Sequence, residues 1–283
     1  MNARAAWLGA AAVFATVAAV GVGVLWTSAP GDAGARAAEQ APPDGNLPIP
    51  PVPPRIAEGE RYEHCLSMLD EDAPGASAEA EAWQGNGGGE AAAHCMALAR
   101  IAMGEPVIGA QMLESLARQS EAPQAARAMV FGQAAQAREM ANDIAHAFDD
   151  ATQAVALSPD DPDLLLDRAI AAGALGKYQD SIDDLDHALE IDPHRLDAMV
   201  LRGSAWRHLD HLELAADDID RVLLADPDNA EALLERGILR QRGGDMAGAQ
   251  ADWERAMKLA PDSATADLAQ QDLALLEAGP ERR

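Results

Sequence analysis

The sequence predicts an all-α protein in which antiparallel helix hairpins stack side by side as an α-solenoid. Prolines recur with a constant 34-residue period in the C-terminal half, and from residue 60 onward the apolar residues follow a helical period with no convincing strand. Aromatic residues are only 4% of the chain against 48% hydrophobic residues, which suits closely packed helices rich in alanine and leucine. At 283 residues, we expect an elongated array or two parts and not one compact globule.

The prolines that define the period are Pro159, Pro193, Pro227 and Pro261. A proline just past a helix prevents the helix from continuing, and the aspartates around it help to start the next one. Each proline therefore closes one repeat. The repeats are predicted at 128–161, 162–195, 196–229 and 230–261.

Other positions keep the same 34-residue register. Small residues stand where two helices must approach closely, namely Ala169, Gly203 and Gly237 in the first helices and Ser181, Ala215 and Ala249 in the second. The residues expected to pack behind them are Leu185, Ile219 and Trp253, with Ala188, Val222 and Ala256.

On these residues the chain resembles the tetratricopeptide repeat family over about 128–261. It departs from the family pattern at Ala172 and Arg240, where an aromatic such as Trp206 is often found, and at Val222 in place of an alanine. The resemblance implies a non-enzymatic scaffold that binds a protein or peptide partner, with no cofactor and no small-molecule substrate. Its architecture is similar to that of tetratricopeptide subunits in bacterial cytochrome c maturation or in envelope assembly and secretion.

The repeats are flanked by less regular helices. Degenerate helix pairs are expected at 60–127, and a capping helix with a tail at 262–283. The full set of predicted helices covers 60–70, 75–84, 90–103, 106–119, 125–139, 142–157, 162–175, 178–190, 196–209, 212–224, 230–242, 246–259 and 264–277.

In such an array the first helices of successive repeats line a groove that binds a peptide or helix. Helical phase selects the groove residues Leu166, Ile170, Val200, Ser204, Arg207, Leu234, Ile238, Gln241 and Arg242. This surface is apolar with cations at one end, and it would suit a segment carrying an acidic group. The alternative is that part of the set packs against the next repeat.

Arginines and aspartates also recur with the repeat, each aspartate at the same offset after its arginine, as Arg168–Asp184, Arg202–Asp218 and Arg236–Asp252. That offset spans one helix, a turn and half of the next helix. Three salt bridges inside the hairpins are therefore expected, because a partly buried guanidinium needs a carboxylate. The alternative is that these arginines face a ligand.

The chain has two cysteines, Cys65 and Cys95, each preceded by a histidine, His64 and His94. In an exported protein an even pair is most simply a disulfide, here joining the first helix to the third. Free thiols, a metal site and a thiol or metal-dependent enzyme are the alternatives. A redox enzyme would favour a Cys-x-x-Cys turn, and adjacent helical residues point about 100° apart, which hinders metal binding by all four.

The N-terminal segment 1–28 is predicted to be a membrane anchor or an export signal. Residues Ala5 to Leu25 are uncharged and mostly apolar, long enough to cross a bilayer, and Trp7 and Trp26 bracket them. Arg4 before the span favours a single-pass protein of the inner membrane with its C-terminal domain in the periplasm. Cleavage would instead leave a secreted or periplasmic protein.

Residues 29–59 form a linker rich in proline and alanine, which includes Pro42-Pro43 and the run from Pro48 to Pro54. Such a segment favours an extended polyproline II spacer. A ligand for a proline-recognition domain is the alternative interpretation.

Charge and motifs exclude several classes of function. The net charge of −26, with a pI near 4.4, repels polyanions and argues against nucleic acid. No nucleophile elbow, phosphate loop or His-Glu-x-x-His string is present. His208 and His211 are expected to be exposed turn residues, so no catalytic centre, metal or cofactor is predicted.

Overall fold

The computed structural model describes residues 54–278, which form thirteen α-helices and no strand. The helices are α1 Glu60–Ser67, α2 Ala73–Gly85, α3 Gly89–Ala102, α4 Pro106–Gln119, α5 Gln124–Met140, α6 Ile144–Leu157, α7 Pro162–Ala174, α8 Tyr178–Ile191, α9 Leu196–His208, α10 Leu212–Ala225, α11 Ala230–Arg242, α12 Met246–Leu259 and α13 Ala264–Ala278. All thirteen helices predicted between residues 60 and 277 are present, and α1 ends earlier than expected, at Ser67.

From α2 onward each helix packs mainly against its neighbours in sequence, which builds a row of hairpins. The odd-numbered helices are the first helices of the hairpins, and the even-numbered helices are the second. From α5 to α13, each first helix also contacts the next first helix, whereas successive second helices do not approach one another as closely. The first helices therefore form one continuous layer.

The turn inside each of the four hairpins from α5 to α12 has one residue in the left-handed conformation. Asn142, Gly176, Asp210 and Gly244 have φ between 56° and 88° and occupy the same position in successive repeats. Glycine, asparagine and aspartate tolerate this conformation better than other residues do. The residue after each of them donates its backbone N–H to a carbonyl five residues back, as Lys177 does to Ala172 at 2.9 Å. This bond closes the end of the first helix.

Two glycines show why small residues recur where helices cross. A Cβ atom at Gly203 would lie 3.0 Å from Cδ1 of Ile219, the far end of a flexible side chain. A Cβ atom at Gly237 would overlap Nε1 of Trp253 and lie 2.6 Å from its Cδ1. Trp253 is fully buried, and its Nε1 donates to the carbonyl of Leu234 at 3.2 Å. The helices α11 and α12 thus pack closely because the ring of Trp253 on α12 lies directly against Gly237 on α11.

The predicted membrane segment 1–28 and the linker up to residue 53 lie outside the described residues. Among residues 54–278, no helix is long and apolar enough to cross a membrane. Ile56, just before α1, is buried in the same apolar cluster as Leu69 and Leu98. The chain therefore joins the helical array four residues before its first helix begins.

Candidate partner-binding face

The layer of first helices is held together by polar contacts between neighbouring repeats. Gln133, Asp167, Leu201 and Glu235 occupy the same position in successive repeats. Three of them are polar, and each reaches the preceding first helix: Gln133 contacts α3, Asp167 contacts α5 and Glu235 contacts α9. We call this set the layer contacts.

The most buried layer contact is the ion pair between Arg207 and Glu235. The Nε of Arg207 donates to one carboxylate oxygen at 2.7 Å and Nη2 to the other at 3.1 Å. Both side chains are almost completely buried, at 0% and 1% exposure. Arg207 also donates to Ser204 on its own helix at 3.2 Å. A buried bidentate pair of this kind restricts how α9 and α11 can pack against each other.

The layer contact of Asp167 joins α7 to α5, and its donor is the neutral side chain of Gln136. The amide Nε2 of Gln136 donates to both carboxylate oxygens, at 3.2 and 3.1 Å. Burial raises the pKa of Asp167 to about 7, and the neighbouring carboxylates Asp163 and Asp161 contribute to the rise. Near neutral pH this carboxyl therefore exchanges a proton on the first-helix layer.

Most members of the predicted groove set have little exposed surface. Six of the nine are buried: Leu166, Ile170, Val200, Ser204, Arg207 and Leu234. The physical reason is the direct contact between successive first helices, which covers the side chains that helical phase alone places on that face. The interpretation that these residues pack against the neighbouring repeat holds for these six.

The other three members of the set remain accessible. Ile238 and Gln241 are partly buried and Arg242 is exposed. Arg242 lies 3.4 Å from the carboxylate of Asp210 and donates to the backbone carbonyl of Arg207 at 3.4 Å. The two cations that were expected to select an acidic partner, Arg207 and Arg242, thus already face carboxylates of the chain itself.

The recurrent arginines form salt bridges inside the hairpins. Arg202 donates from Nε and Nη2 to the two carboxylate oxygens of Asp218, at 2.8 and 2.7 Å. The pairs at Arg168–Asp184 and Arg236–Asp252 have the same two-pronged geometry. In all three the aspartate is buried and the arginine partly exposed. These arginines therefore brace the hairpins.

The cysteines pair with each other. A Cys65–Cys95 disulfide joins α1 to α3, and both residues are fully buried. Beside it, the hydroxyl of Tyr62 lies 2.5 Å from Nδ1 of His94, whose Nε2 lies 2.6 Å from Oε1 of Gln133. Burial lowers the pKa of His94 to about 4, so the ring is neutral near pH 7 and can donate at one nitrogen and accept at the other.

The histidines do not form a metal site with the cysteines. His64 is exposed while His94 is buried, so the two rings lie in different environments. Within residues 54–278, no three His, Cys, Asp or Glu side chains are arranged to hold a metal ion. In the turn region, His208 stacks on Tyr178 with centroids 4.1 Å apart, and His211 meets the ring of Trp206 edge-on at 5.4 Å.

An open cleft of about 540 Å³ lies on the α2–α4 part of the array. It is lined by residues of α2, α3 and α4 and of the loop that follows α4: Gln84, Gly89, Glu90, Ala93, Ile108, Gln111, Met112, Ser115, Leu116, Gln119 and Ser120. A smaller cleft of about 390 Å³ lies at α8, α9 and α10, and charged side chains such as Arg202 and Arg221 line it. Sequence periodicity indicated neither cleft.

The repeat architecture has known counterparts. A family model described as tetratricopeptide repeat matches residues 201–274. No curated protein matches the sequence. Over residues 201–274 the chain thus resembles tetratricopeptide repeats, and proteins built from such repeats are generally scaffolds for protein interactions.

Solved structures show the same fold at low sequence identity. YrrB, described as a TPR protein with an unusual peptide-binding site, is 16% identical with a TM-score of 0.51, covering 69% of this chain and 96% of its own. A thermophilic TPR protein of Thermus thermophilus is 17% identical, with a TM-score of 0.52 and coverage of 66% and 99%. MamA 41-end from Desulfovibrio magneticus RS-1 is 15% identical, with a TM-score of 0.50 and coverage of 72% and 97%.

Proposed function

We propose that this chain is a non-enzymatic adaptor that binds a segment of a partner protein on its layer of first helices. The observation that carries the proposal is the continuity of that layer, because each first helix from α5 to α13 contacts the next. A continuous helical face can hold a segment that crosses several repeats. The peptide-binding site in the description of YrrB, which shares the fold, is consistent with this role.

The internal contacts of the array support this role because they make the face rigid before a partner arrives. Salt bridges brace three hairpins, the buried Arg207–Glu235 pair joins α9 to α11, and the disulfide holds α1 on α3. A surface that is already ordered loses less conformational entropy when it binds. Most of the entropy lost on binding would then come from the partner segment itself.

We further propose that the adaptor works at the bacterial envelope, with segment 1–28 in the inner membrane and the repeats in the periplasm. Support comes from the apolar run between Ala5 and Leu25, from Arg4 before it and from a disulfide, which persists in oxidising compartments. Envelope protein assembly or cytochrome c maturation are the processes that this architecture would serve. Cleavage after the signal would give the same adaptor free in the periplasm.

Site-specific photocrosslinking in cells tests the binding face. A photoreactive residue replaces Gln241 on the first-helix layer in one variant, and Asp217, an exposed residue of α10, in the control. We expect a partner to be captured from Gln241 and not from Asp217. Equal capture at both positions, or capture only from the second helix, would contradict the proposed face.

Membrane fractionation tests the tether separately. The full chain should stay with membranes after alkaline carbonate extraction, whereas a chain lacking residues 1–28 should be soluble. If carbonate releases the protein expressed from the full sequence, and its N-terminus lies beyond residue 28, the segment is instead a cleaved signal.

A further inference from the structure

The α3–α4 hairpin turns in the same way as the hairpins of the later repeats. Gly104 has φ 81°, and the next residue, Glu105, donates its backbone N–H to the carbonyl of Arg100 at 2.9 Å. Counted from this turn, Gly109 and Leu113 occupy the positions of the small and the bulky residue through which the later second helices pack. The outer residues of α4 can therefore be compared with those of the later second helices position by position.

In that register, positions that are charged in the later repeats are apolar or neutral in this hairpin. Met96 and Met112 stand at the positions of the arginine and the aspartate that form the salt bridges inside the later hairpins. Both methionines pack against the apolar core of the array. Gln111 stands where α6, α8 and α10 each carry an exposed aspartate. The side of α4 that carries Gln111 and Met112 therefore lacks the charges found on the corresponding helices.

This side of α4 forms one wall of the open cleft of about 540 Å³. Ile108 is 46% exposed, and Met112 and Leu116 are partly buried beside it. The wall runs from Ile108 to Gln119, which at about 1.5 Å per residue is about 17 Å, or about three turns of a helix. Accessible apolar side chains spaced four residues apart along one helix suit the apolar face of a partner helix.

The charges at the cleft are carboxylates. Glu90 lines the cleft, and its lining contains no lysine or arginine. Glu121 follows the last lining residue of the α4 side, and Glu81 lies one turn before Gln84 on α2. Within residues 54–278, none of these three glutamates forms a salt bridge. Charge complementarity therefore favours a partner whose apolar residues are flanked by lysine or arginine, and disfavours an acidic partner.

We propose that the α2–α4 cleft is a second docking site, which takes an amphipathic helical segment of a partner protein with an apolar face and basic residues along its edges. The main wall of this site is a second helix, so the site is separate from the first-helix layer of the adaptor. Two sites on different helices allow the array to hold two segments at once.

Photocrosslinking of the purified full-length chain with synthetic peptides tests the site. The probe is an amphipathic helical peptide of leucine and lysine with one benzoylphenylalanine on its apolar face, and the matched peptide has glutamate in place of lysine. Crosslinked residues are located by mass spectrometry. We expect the lysine peptide to label residues 84–120, and the glutamate peptide to label them at least about tenfold less. Equal labelling by both peptides, labelling spread over α8 and α10, or no labelling would overturn the proposal.

A pair of substitutions tests the apolar contact. Ile108→Ser removes apolar surface inside the cleft, and Leu224→Ser makes the same kind of change at an 85% exposed leucine of α10. Both side chains are exposed, so neither change should disturb folding. We expect Ile108→Ser to lower labelling by the lysine peptide about fivefold and Leu224→Ser to leave it unchanged. Equal effects of the two substitutions, or no effect of either, would contradict the proposed site.

A second pair of variants tests the charge requirement. One variant carries Glu81→Gln, Glu90→Gln and Glu121→Gln together, and its control carries Asp180→Asn, Asp183→Asn and Glu190→Gln, which neutralise three exposed carboxylates of α8. The two variants have the same net charge, and we expect labelling by the lysine peptide to fall only in the first. An equal fall in both would show that the net charge of the chain attracts the peptide, which would overturn the proposal. Failure here would leave the test at Gln241 unaffected.

Discussion

Replacing Gly237 with alanine is a sharp test of how the hairpin of α11 and α12 is packed. The new methyl group would overlap Nε1 of Trp253 and lie 2.6 Å from Cδ1 and 2.9 Å from Cε2 of the same ring. The indole is rigid and fully buried, and its N–H is held by the carbonyl of Leu234. To make room, the ring must shift and weaken that bond.

The expected magnitude follows from two destabilising effects and one stabilising effect. Overpacking of a core typically costs about 1–3 kcal/mol. A weakened hydrogen bond adds about 0.5–1.5 kcal/mol, and alanine returns about 0.5–1 kcal/mol through its better helix propensity. The net change for Gly237→Ala is a loss of about 2 kcal/mol in the free energy of unfolding, within limits of roughly 0.5 and 4 kcal/mol.

Gly203→Ala is the matched control. It is also a helical glycine at the same repeat position, but its new methyl would lie 3.0 and 3.1 Å from Cδ1 and Cγ1 of Ile219 and 3.4 Å from the backbone oxygen of Ala215, which is a much looser fit than at Gly237. We expect a change within about 1 kcal/mol of zero, because Ile219 can move slightly while helix propensity improves.

Urea denaturation followed by circular dichroism measures the free energy of unfolding of both variants. Two further proteins, Trp253→Leu and the double variant Gly237→Ala with Trp253→Leu, complete a double-mutant cycle. Leucine already stands at the equivalent position, Leu185. In the cycle, Gly237→Ala should cost less in the Trp253→Leu background than in the native one. A neutral Gly237→Ala, or a larger loss for Gly203→Ala, would refute the packing argument.

Three further outcomes are expected. Arg207→Met should cost about 3–5 kcal/mol in urea denaturation because Glu235 is left buried and unpaired, and adding Glu235→Leu should recover most of it; an equal loss in the double variant would contradict this. Replacing Cys65 and Cys95 by alanine should remove about 3–4 kcal/mol and speed hydrogen exchange in α1 and α3, whereas unchanged exchange would show that the bridge contributes little. Since the folded-state pKa of Asp167 is raised to about 7, its contribution to stability is greatest at low pH and is lost as pH rises towards 8. The unfolding midpoint should therefore rise from pH 8 to pH 6, and Asp167→Asn should reduce that rise; an identical pH profile would mean that this carboxyl does not titrate in the range.

Repeat periodicity predicted the helices well because hairpin packing is local. The 34-residue spacing of the prolines placed the helix ends, and the small residues at Gly203 and Gly237 marked the close crossings. The constant arginine–aspartate offset placed both groups of each salt bridge on one hairpin. In each case the contact lies within a single repeat, where distance along the chain determines distance in space.

The burial of side chains on the first helices was predicted less well because it depends on contacts between repeats. The pairs Arg207–Glu235 and Gln136–Asp167 are separated by 28 and 31 residues, so neither follows the 34-residue period. A signal was nevertheless present, since Gln133, Asp167 and Glu235 share one repeat position and are polar where Leu201 is apolar. Polar residues at a buried position require partners, and here the partners lie on the preceding first helix.

The sequence by itself thus determined that this protein is an array of helix hairpins, where each hairpin turns, and which charges brace it. Only the tertiary structure decided which side chains of the first helices remain accessible, because the distance between neighbouring repeats determines what is covered. That distance buried Leu166, Val200 and Arg207 and left Gln241 partly accessible. The distance between repeats is set by the packing of whole helices against one another. The helical phase within a single repeat carries no information about that distance.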